Sequence, residues 1–337
     1  MTRLLLLCPG RGSYGRAQLG SLQGPSAVLD TLDAFRAALG RPTLRQLDAA
    51  ERFSPRTHLA GEHASLLTFG ATAHDLEALD PSKARVVAVA GNSMGWYTAL
   101  YAAGALGLSA AAQLIETMGA YQAGNVIGAQ VLYPTVGEDW RPDPTLAATV
   151  AHALAQPGVY LSIRLGGTAV LGADRDGLRW LMEHLPPLQR GSRTFPLQLP
   201  LHSAFHTPLL AATSVQARAD LGRLPVTGPA VTLVGGGGRV FRPWASPAAI
   251  LDYTLTTQVT DTFDLTACVR TAMGSFAPDA VLLPGPGDTL GAPVAQALIE
   301  AGWRGLRDRQ DFMEAQASDR PVALSMARPE QRTRVTA

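Results

Sequence analysis

The chain has 337 residues, of which 47% are hydrophobic and 16% charged, a balance typical of a compact globular protein with a large core. Its formal net charge of +1 gives no electrostatic basis for binding nucleic acid or an anionic membrane. The two cysteines provide neither a disulfide framework nor a zinc-ligand spacing, so we expect a cytoplasmic protein without a metal site.

The first predicted elements are a strand, a loop and two helices. The apolar run at residues 3–8 predicts a buried strand and is too short for the hydrophobic region of a signal peptide. The glycine-rich loop at 9–15 lacks the lysine of a P-loop and the spacing of a dinucleotide-binding fingerprint, so we interpret it as a tight turn that presents backbone N–H groups. Helical periodicity follows at residues 27–39 and 64–79.

The pentapeptide Gly-Asn-Ser-Met-Gly at residues 91–95 lies between a β-branched apolar run at 85–90 and a helix-prone stretch at 96–103. This order is typical of a nucleophile elbow, a strained turn that exposes a serine hydroxyl at a helix N-terminus. Free N–H groups and the helix dipole stabilise an oxyanion there. Ser93 is therefore the candidate nucleophile for acyl transfer, although such a motif can also arise by chance in a chain with 34 glycines.

The pattern changes after a predicted helix at 109–121. Residues 126–200 contain short strand-like runs and two helical stretches, at 127–133, 146–154, 159–163, 168–171 and 174–185. Core-like segments then return, with strands at 231–234 and 280–283 and helices at 264–273 and 294–301. We predict an α/β core with a parallel sheet from residues 1–125 and 201–310, an α+β insert at 126–200, and a disordered tail at 311–337.

His206 is the candidate general base. It follows an apolar, strand-like run and precedes a predicted helix, where a loop histidine can point into a cleft. A serine hydroxyl is a weak nucleophile at neutral pH, and an imidazole within hydrogen-bond reach takes its proton. A lone histidine is more often structural than catalytic, and we interpret the neighbouring His202 as structural or solvent-facing.

Four motifs, in this order, resemble those of malonyl-CoA:acyl-carrier-protein transacylases and of the acyltransferase domains of polyketide synthases. They are the loop at 9–13, the elbow at 91–95, Ser-Ala-Phe-His at 203–206 and Gly-Pro-Gly at 285–287. The resemblance covers about residues 3–305. It implies an α/β-hydrolase-like core with an inserted ferredoxin-like subdomain.

The resemblance also implies roles for individual residues. Ser93 corresponds to the acylated nucleophile and His206 to its base. The backbone N–H groups of Met94 and Arg11 correspond to the oxyanion hole. In this family backbone carbonyls, rather than an acidic residue, mainly orient the histidine, so the resemblance requires no third triad member.

The chain departs from the family pattern around the predicted pocket. Asn92 stands where relatives usually carry histidine, and Trp96 where they carry glutamate. Arg11 replaces a usual glutamine, and His63 falls near another glutamine of the active site. We assign five residues to the substrate pocket, namely Asn92, His63, Met118, Phe205 and Ser203.

The largest departure concerns the arginine that pairs with the free carboxylate of malonyl groups. Met118 takes its place, and no arginine or lysine occurs between Arg85 and Arg141. A buried carboxylate without a cation costs several kcal/mol, so the sequence predicts a pocket for an uncharged acyl group. The alternative is that another cation, Arg11 or Arg164, meets the carboxylate. Phe205 resembles the pattern of relatives that accept unbranched extender units.

The predicted function is an acyltransferase that moves an acyl group from an acyl thioester to an acyl-carrier protein through a Ser93 ester, in fatty acid or polyketide biosynthesis. The expected partners are acyl-CoA and acyl-carrier protein, and not nucleic acid or membrane. No bound cofactor is expected, because CoA or phosphopantetheine arrives with the substrate. Two alternatives remain: an acyl hydrolase that clears carrier proteins of a polyketide synthase, and a non-catalytic carrier-protein docking module.

Overall fold

Two sheets carry most strands of the computed structural model, which describes residues 1–123 and 125–337. The strands, in chain order, are β1 (Thr2–Cys8), β2 (Ala84–Gly91), β3 (Ala129–Pro134), β4 (Val159–Leu165), β5 (Thr168–Ala173), β6 (Leu188–Arg190), β7 (Arg193–Phe195), β8 (Leu197–Gln198), β9 (Leu233–Val234), β10 (Val240–Phe241), β11 (Phe263–Asp264), β12 (Ala280–Leu283) and β13 (Ala323–Ser325).

The helices pack around both sheets, and none in the described ranges is long and apolar enough to cross a membrane. In chain order they are α1 (Ala27–Ala38), α2 (Leu44–Asp48), α3 (Pro55–His58), α4 (Gly61–Glu77), α5 (Gly95–Ala102), α6 (Leu108–Ala120), α7 (Pro144–Leu154), α8 (Arg175–His184), α9 (Ala211–Leu221), α10 (Pro247–Leu255), α11 (Thr257–Thr260), α12 (Leu265–Phe276), α13 (Gly291–Glu300), α14 (Arg309–Ala317) and α15 (Pro329–Arg332).

The first sheet has the strand order β10-β9-β2-β1-β12-β13, and all its neighbouring pairs are parallel except β9 with β10. Residues 4–7 of β1 are all leucine and almost completely buried. A strand covered on both faces has a continuous apolar run, which is why residues 4–7 show no alternation of polar and apolar side chains. The α/β class with a parallel sheet is confirmed.

The second sheet has the order β11-β4-β5-β3-β8. Its residues between 129 and 198 follow the element order β-α-β-β-α-β, apart from the small β6–β7 hairpin. That order is the one expected of a ferredoxin-like unit, and this assignment stays a prediction. The edge strand β11 comes from a later part of the chain and pairs in parallel with β4, so the sheet extends beyond the predicted insert.

The C-terminal segment is folded, contrary to the predicted disorder of residues 311–337. It forms α14, β13 and α15, and β13 extends the first sheet in parallel with β12. Phe312, Leu324 and Val335 are buried in the hydrophobic clusters of the protein. Apolar side chains this widely spaced show no periodicity in sequence, and only tertiary packing reveals that they share one surface.

Candidate active site

The turn between β2 and α5 holds Ser93 in the left-handed region, with φ of 54°. Glycine is required on both sides of it. A Cβ at Gly91 would lie 2.0 Å from the carbonyl oxygen of Gly95, and a Cβ at Gly95 would lie 2.3 Å from the carbonyl oxygen of Cys8. Only hydrogen at these two positions lets the helix start against β1 and β2, so the glycines are a steric requirement of the turn.

Ser93 and His206 are in hydrogen-bond contact, with 2.8 Å between Oγ and Nε2. His206 also has a positive φ, of 61°, and is 2% exposed. For Nε2 to accept the serine proton, the neutral ring must carry its own proton on Nδ1. That Nδ1 is buried and has no acidic partner among the described residues, so no carboxylate there completes a triad.

Burial lowers the pKa of His206 from its ordinary value to about 4. The cause is desolvation of the charged imidazolium, which outweighs the opposite effect of the Gln258 backbone. The histidine is therefore neutral at physiological pH and ready to accept a proton.

Gln258 is a site residue that the sequence did not reveal. Its Nε2 donates to the carbonyl oxygen of Ser93 at 2.8 Å, and its side chain is almost fully buried beside His206. It lies in the short helix α11, with neither glycine nor histidine next to it. No local pattern distinguishes this glutamine from the others, because its position depends on the packing of α11 against the elbow.

The backbone N–H groups predicted for the oxyanion hole lie on two adjoining segments. Met94 is the N-cap of α5, and neither its N–H nor that of Arg11 has an acceptor in residues 1–123 and 125–337. The segments touch: a Cβ at Gly10 would lie 2.7 Å from the carbonyl oxygen of Asn92. Two free donors on touching segments beside a serine hydroxyl are what a developing oxyanion needs.

A narrow pocket with a cavity volume of about 40 Å³ opens at Ser93. Seven of the nine residues predicted for the site line it, namely Arg11, Ser93, Met94, Met118, Ser203, Phe205 and His206. Its apolar wall adds Tyr97 and Ile115, and its polar groups include Gln122, Gln130 and Gln258. The pocket therefore places Ser93 and its hydrogen-bonded histidine beside an apolar surface.

Arg11 brings a cation into this pocket. Its Nη1 donates to Oε1 of Gln122 at 2.5 Å, its Nη2 donates to the carbonyl oxygen of Leu201, and its Nε is buried without a partner among the described residues. Burial lowers its pKa to about 10, which leaves it protonated at neutral pH. No carboxylate in the described ranges pairs with it. Its contacts are therefore all to neutral acceptors.

Two of the residues assigned to the pocket do not line it. His63 contacts Arg36, whose Nη2 donates to Nδ1 at 2.8 Å, within a cluster of ion pairs around Glu116. Asn92 packs against Gly10 with its Oδ1 buried and without a partner among the described residues. Both lie close in sequence to pocket residues, but their side chains face other neighbours.

Two other candidate residues also lie elsewhere than the sequence analysis expected. Arg164, considered as a substitute cation, pairs with Asp264 and Glu300 and does not line the pocket. His202, interpreted as structural or solvent-facing, lines the pocket, and burial together with nearby Arg11 lowers its pKa to about 3. Of the two cations proposed to replace the missing arginine, only Arg11 reaches the pocket.

No protein-family model and no curated protein sequence matches the chain. Solved structures do match. The acyl-carrier-protein S-malonyltransferase of Burkholderia pseudomallei is 23% identical, with a TM-score of 0.73 over 99% of this chain and 98% of that one. The malonyl-CoA:ACP transacylase of Synechocystis sp. is 16% identical, with a TM-score of 0.74 over 99% of both chains.

A domain of a modular enzyme matches as well. The acyltransferase domain from the second module of the salinomycin polyketide synthase is 20% identical, with a TM-score of 0.68 over 98% of this chain and 70% of that one. Identities this low establish the fold alone. The chain therefore has the fold of malonyl-CoA:ACP transacylases and of polyketide synthase acyltransferase domains.

Proposed function

We propose that this protein is a serine acyltransferase that moves an acyl group from a CoA or carrier-protein thioester to an acyl-carrier protein. The observation that carries the proposal is the 2.8 Å contact between Ser93 Oγ and His206 Nε2 at a sterically enforced elbow. The named activities of the structural neighbours, malonyl transfer to acyl-carrier protein among them, are consistent with this chemistry.

In the first half-reaction, Ser93 Oγ attacks the thioester carbonyl carbon while His206 Nε2 takes the hydroxyl proton. The N–H groups of Met94 and Arg11 stabilise the tetrahedral oxyanion. When the intermediate collapses, the carbon–sulfur bond breaks and the imidazolium returns its proton to the departing thiolate. The products are a free thiol and the Ser93 ester.

In the second half-reaction, the thiol of an acyl-carrier-protein phosphopantetheine arm occupies the position that the first thiol left. His206 takes its proton, the thiolate attacks the ester carbonyl, and the same N–H groups hold the oxyanion. Collapse breaks the carbon–oxygen bond of the ester and reprotonates Ser93. Serine and histidine serve both halves, and CoA or phosphopantetheine arrives with its substrate.

We further propose that the acyl group is uncharged. Met118 is 3% exposed and contributes to the apolar wall of the pocket with Ile115 and Tyr97. The guanidinium of Arg11 already donates to Gln122 and to the carbonyl oxygen of Leu201. A carboxylate entering the pocket would have to displace these contacts or remain without a full partner, at a cost of several kcal/mol.

A second candidate, loading of a carboxylated group such as malonyl, is favoured by one observation. Arg11 is a pocket cation with no carboxylate partner in the described part of the chain. An arginine whose charge is not neutralised attracts anions and can form a bidentate pair with a carboxylate. In this case Arg11 would exchange its neutral acceptors for the acyl carboxylate.

The test is to incubate the purified protein with acetyl-, butyryl- and malonyl-CoA and to measure the Ser93 ester by intact mass. We expect acetyl or butyryl to load faster than malonyl. Met118→Arg should shift the preference toward malonyl, and Met118→Leu is the matched control that keeps the wall apolar. Efficient malonyl loading by the wild-type protein, lost in Arg11→Gln, would support the second candidate instead.

The fate of the ester separates transfer from hydrolysis. We expect it to persist in buffer and to disappear when holo acyl-carrier protein is added, with the acyl mass appearing on the carrier. Rapid release of free acid without a carrier would indicate an acyl hydrolase. Absence of any ester with every acyl-CoA and acyl-carrier protein tested would leave the docking module as the explanation.

A further inference from the structure

The peptide bond between Phe205 and His206 is held at both ends by other parts of the fold. Its N–H, on His206, donates to the carbonyl oxygen of Val259 at 2.8 Å. Its carbonyl oxygen, on Phe205, accepts from Oγ of Ser162 at 2.8 Å. Because His206 has a positive φ, this peptide plane must be fixed against relaxation to an ordinary backbone conformation.

A buried glutamine extends this contact. Nε2 of Gln130 donates to Oγ of Ser162 at 2.7 Å, and the two side chains are 4% and 0% exposed. The serine has a single proton and gives it to the Phe205 carbonyl, so its oxygen is oriented to accept from the amide. Gln130 on β3, Ser162 on β4 and the peptide before His206 therefore form one directed chain of hydrogen bonds.

The sheet is shaped to receive this loop. Gly172 on β5 faces it, and a Cβ there would lie 2.5 Å from Cγ2 of Thr207 and 3.5 Å from Cβ of Ala204. The N–H of Ala204 also donates to the carbonyl oxygen of Ile127 at 2.7 Å. The loop that carries His206 thus lies directly on the second sheet, whereas Ser93 lies in the turn that follows β2 of the first sheet.

We propose that Ser162 and Gln130 are positioning residues that set the place of the His206 imidazole relative to Ser93. The inference rests on the proposed function, because positioning matters only if Ser93 and His206 react. Ser162 fixes the peptide plane from which the His206 side chain departs, and Gln130 fixes the Ser162 hydroxyl. A base displaced by about 1 Å from its nucleophile can lose on the order of a hundredfold in rate.

The experiment measures Ser93 reactivity directly with a fluorophosphonate probe, in which the serine oxygen bonds to phosphorus, fluoride leaves and the serine proton passes to His206. Ser162→Ala should slow labelling roughly ten- to a hundredfold. In acyl-CoA loading, the same variant should lower kcat and leave KM nearly unchanged. Gln130→Met should slow labelling less than Ser162→Ala does. The double variant Ser162→Ala/Gln130→Met should slow labelling by a smaller factor than the product of the two single-variant factors, because both residues act through one chain of hydrogen bonds.

Ser214→Ala is the matched control, since Ser214 is also a buried serine that donates to a backbone carbonyl, that of Leu255, at 2.6 Å. It should lose comparable stability and label at the wild-type rate. Equal rates for wild type and folded Ser162→Ala would overturn the inference, as would equal slowing by Ser214→Ala. If Ser162→Ala does not fold, the rate of folded Gln130→Met decides: labelling at the wild-type rate overturns the inference. No labelling of the wild type would instead contradict the proposed function.

Discussion

The low pKa of His206 makes a quantitative prediction for the pH dependence of Ser93 acylation. The imidazole is 2% exposed, and burial lowers its pKa to about 4. Only the neutral ring can take the serine proton. The acylation rate should therefore be constant from neutral pH down to about pH 5 and fall with a midpoint near the pKa.

The expected difference from an ordinary histidine is large. At pH 5 a base with a pKa of about 4 is about 90% neutral, whereas one with a pKa of about 6.5 is only about 3% neutral, a difference of roughly thirtyfold in active fraction. The stability of the fold changes over the same pH range. His206 binds a proton with a pKa of about 6.5 in the unfolded chain and with a pKa of about 4 in the folded protein. The free energy of unfolding should therefore fall by about 3 kcal/mol as the pH falls from about 6.5 to 4.

The assay is single-turnover loading of Ser93 by acyl-CoA between pH 4 and 8, quenched and measured by intact mass. Circular dichroism at each pH identifies the range in which the protein is folded, and His202→Gln removes a second pocket histidine whose pKa burial lowers. A midpoint near 6.5 in folded protein would refute the reasoning, since it would mean that burial does not control the protonation of the base.

Three further outcomes are expected. Ser93→Ala should abolish the acyl-enzyme ester in the mass spectrum with unchanged circular dichroism, and an ester on this variant would contradict the nucleophile assignment. His206→Ala should slow acylation at least about a hundredfold, whereas greater damage from His202→Ala would show that the base is misassigned. Gly95→Ala should lower the free energy of unfolding in urea by more than about 2 kcal/mol, because its Cβ would lie 2.3 Å from the Cys8 carbonyl oxygen. Gly274→Ala, in open space on helix α12, should instead raise it by roughly 0.5–1 kcal/mol, and equal effects would contradict the steric argument.

The sequence predicted those parts of the fold whose signal is local. The buried strand β12 at residues 280–283 has the predicted bounds, and α6 at Leu108–Ala120 differs from its prediction by one residue at each end. A four-residue apolar run bounded by turn residues and a long amphipathic stretch both carry strong local signals. The tail was predicted wrongly because β13 has only three residues and is stabilised by pairing with β12, far away in sequence.

The residues of the candidate site also differ in whether a local sequence signal identifies them. Ser93 could be found from sequence because its turn requires glycine at both flanks, and His206 because its segment matches a family motif. Gln258 and Gln130 could not, because an amide has no distinctive neighbours and its role depends on which carbonyl or hydroxyl the fold brings to it. His63 was assigned because it falls near a usual active-site glutamine of the family, but its ring faces Arg36.

The nucleophile and its base are held by different sheets, and this constrains how the protein can vary. Ser93 follows β2 of the first sheet, while the loop of His206 lies on β4 and β5 of the second. Their 2.8 Å contact therefore depends on the alignment of the two sheets, which share a hydrophobic cluster in which Ile163 and Val170 of the second sheet pack with β1 and β2 of the first. Pocket residues such as Met118 can change with little effect on that alignment, whereas the buried polar residues that hold the His206 loop, Ser162 above all, cannot. Acyl specificity should consequently vary more readily than the geometry of the reacting pair.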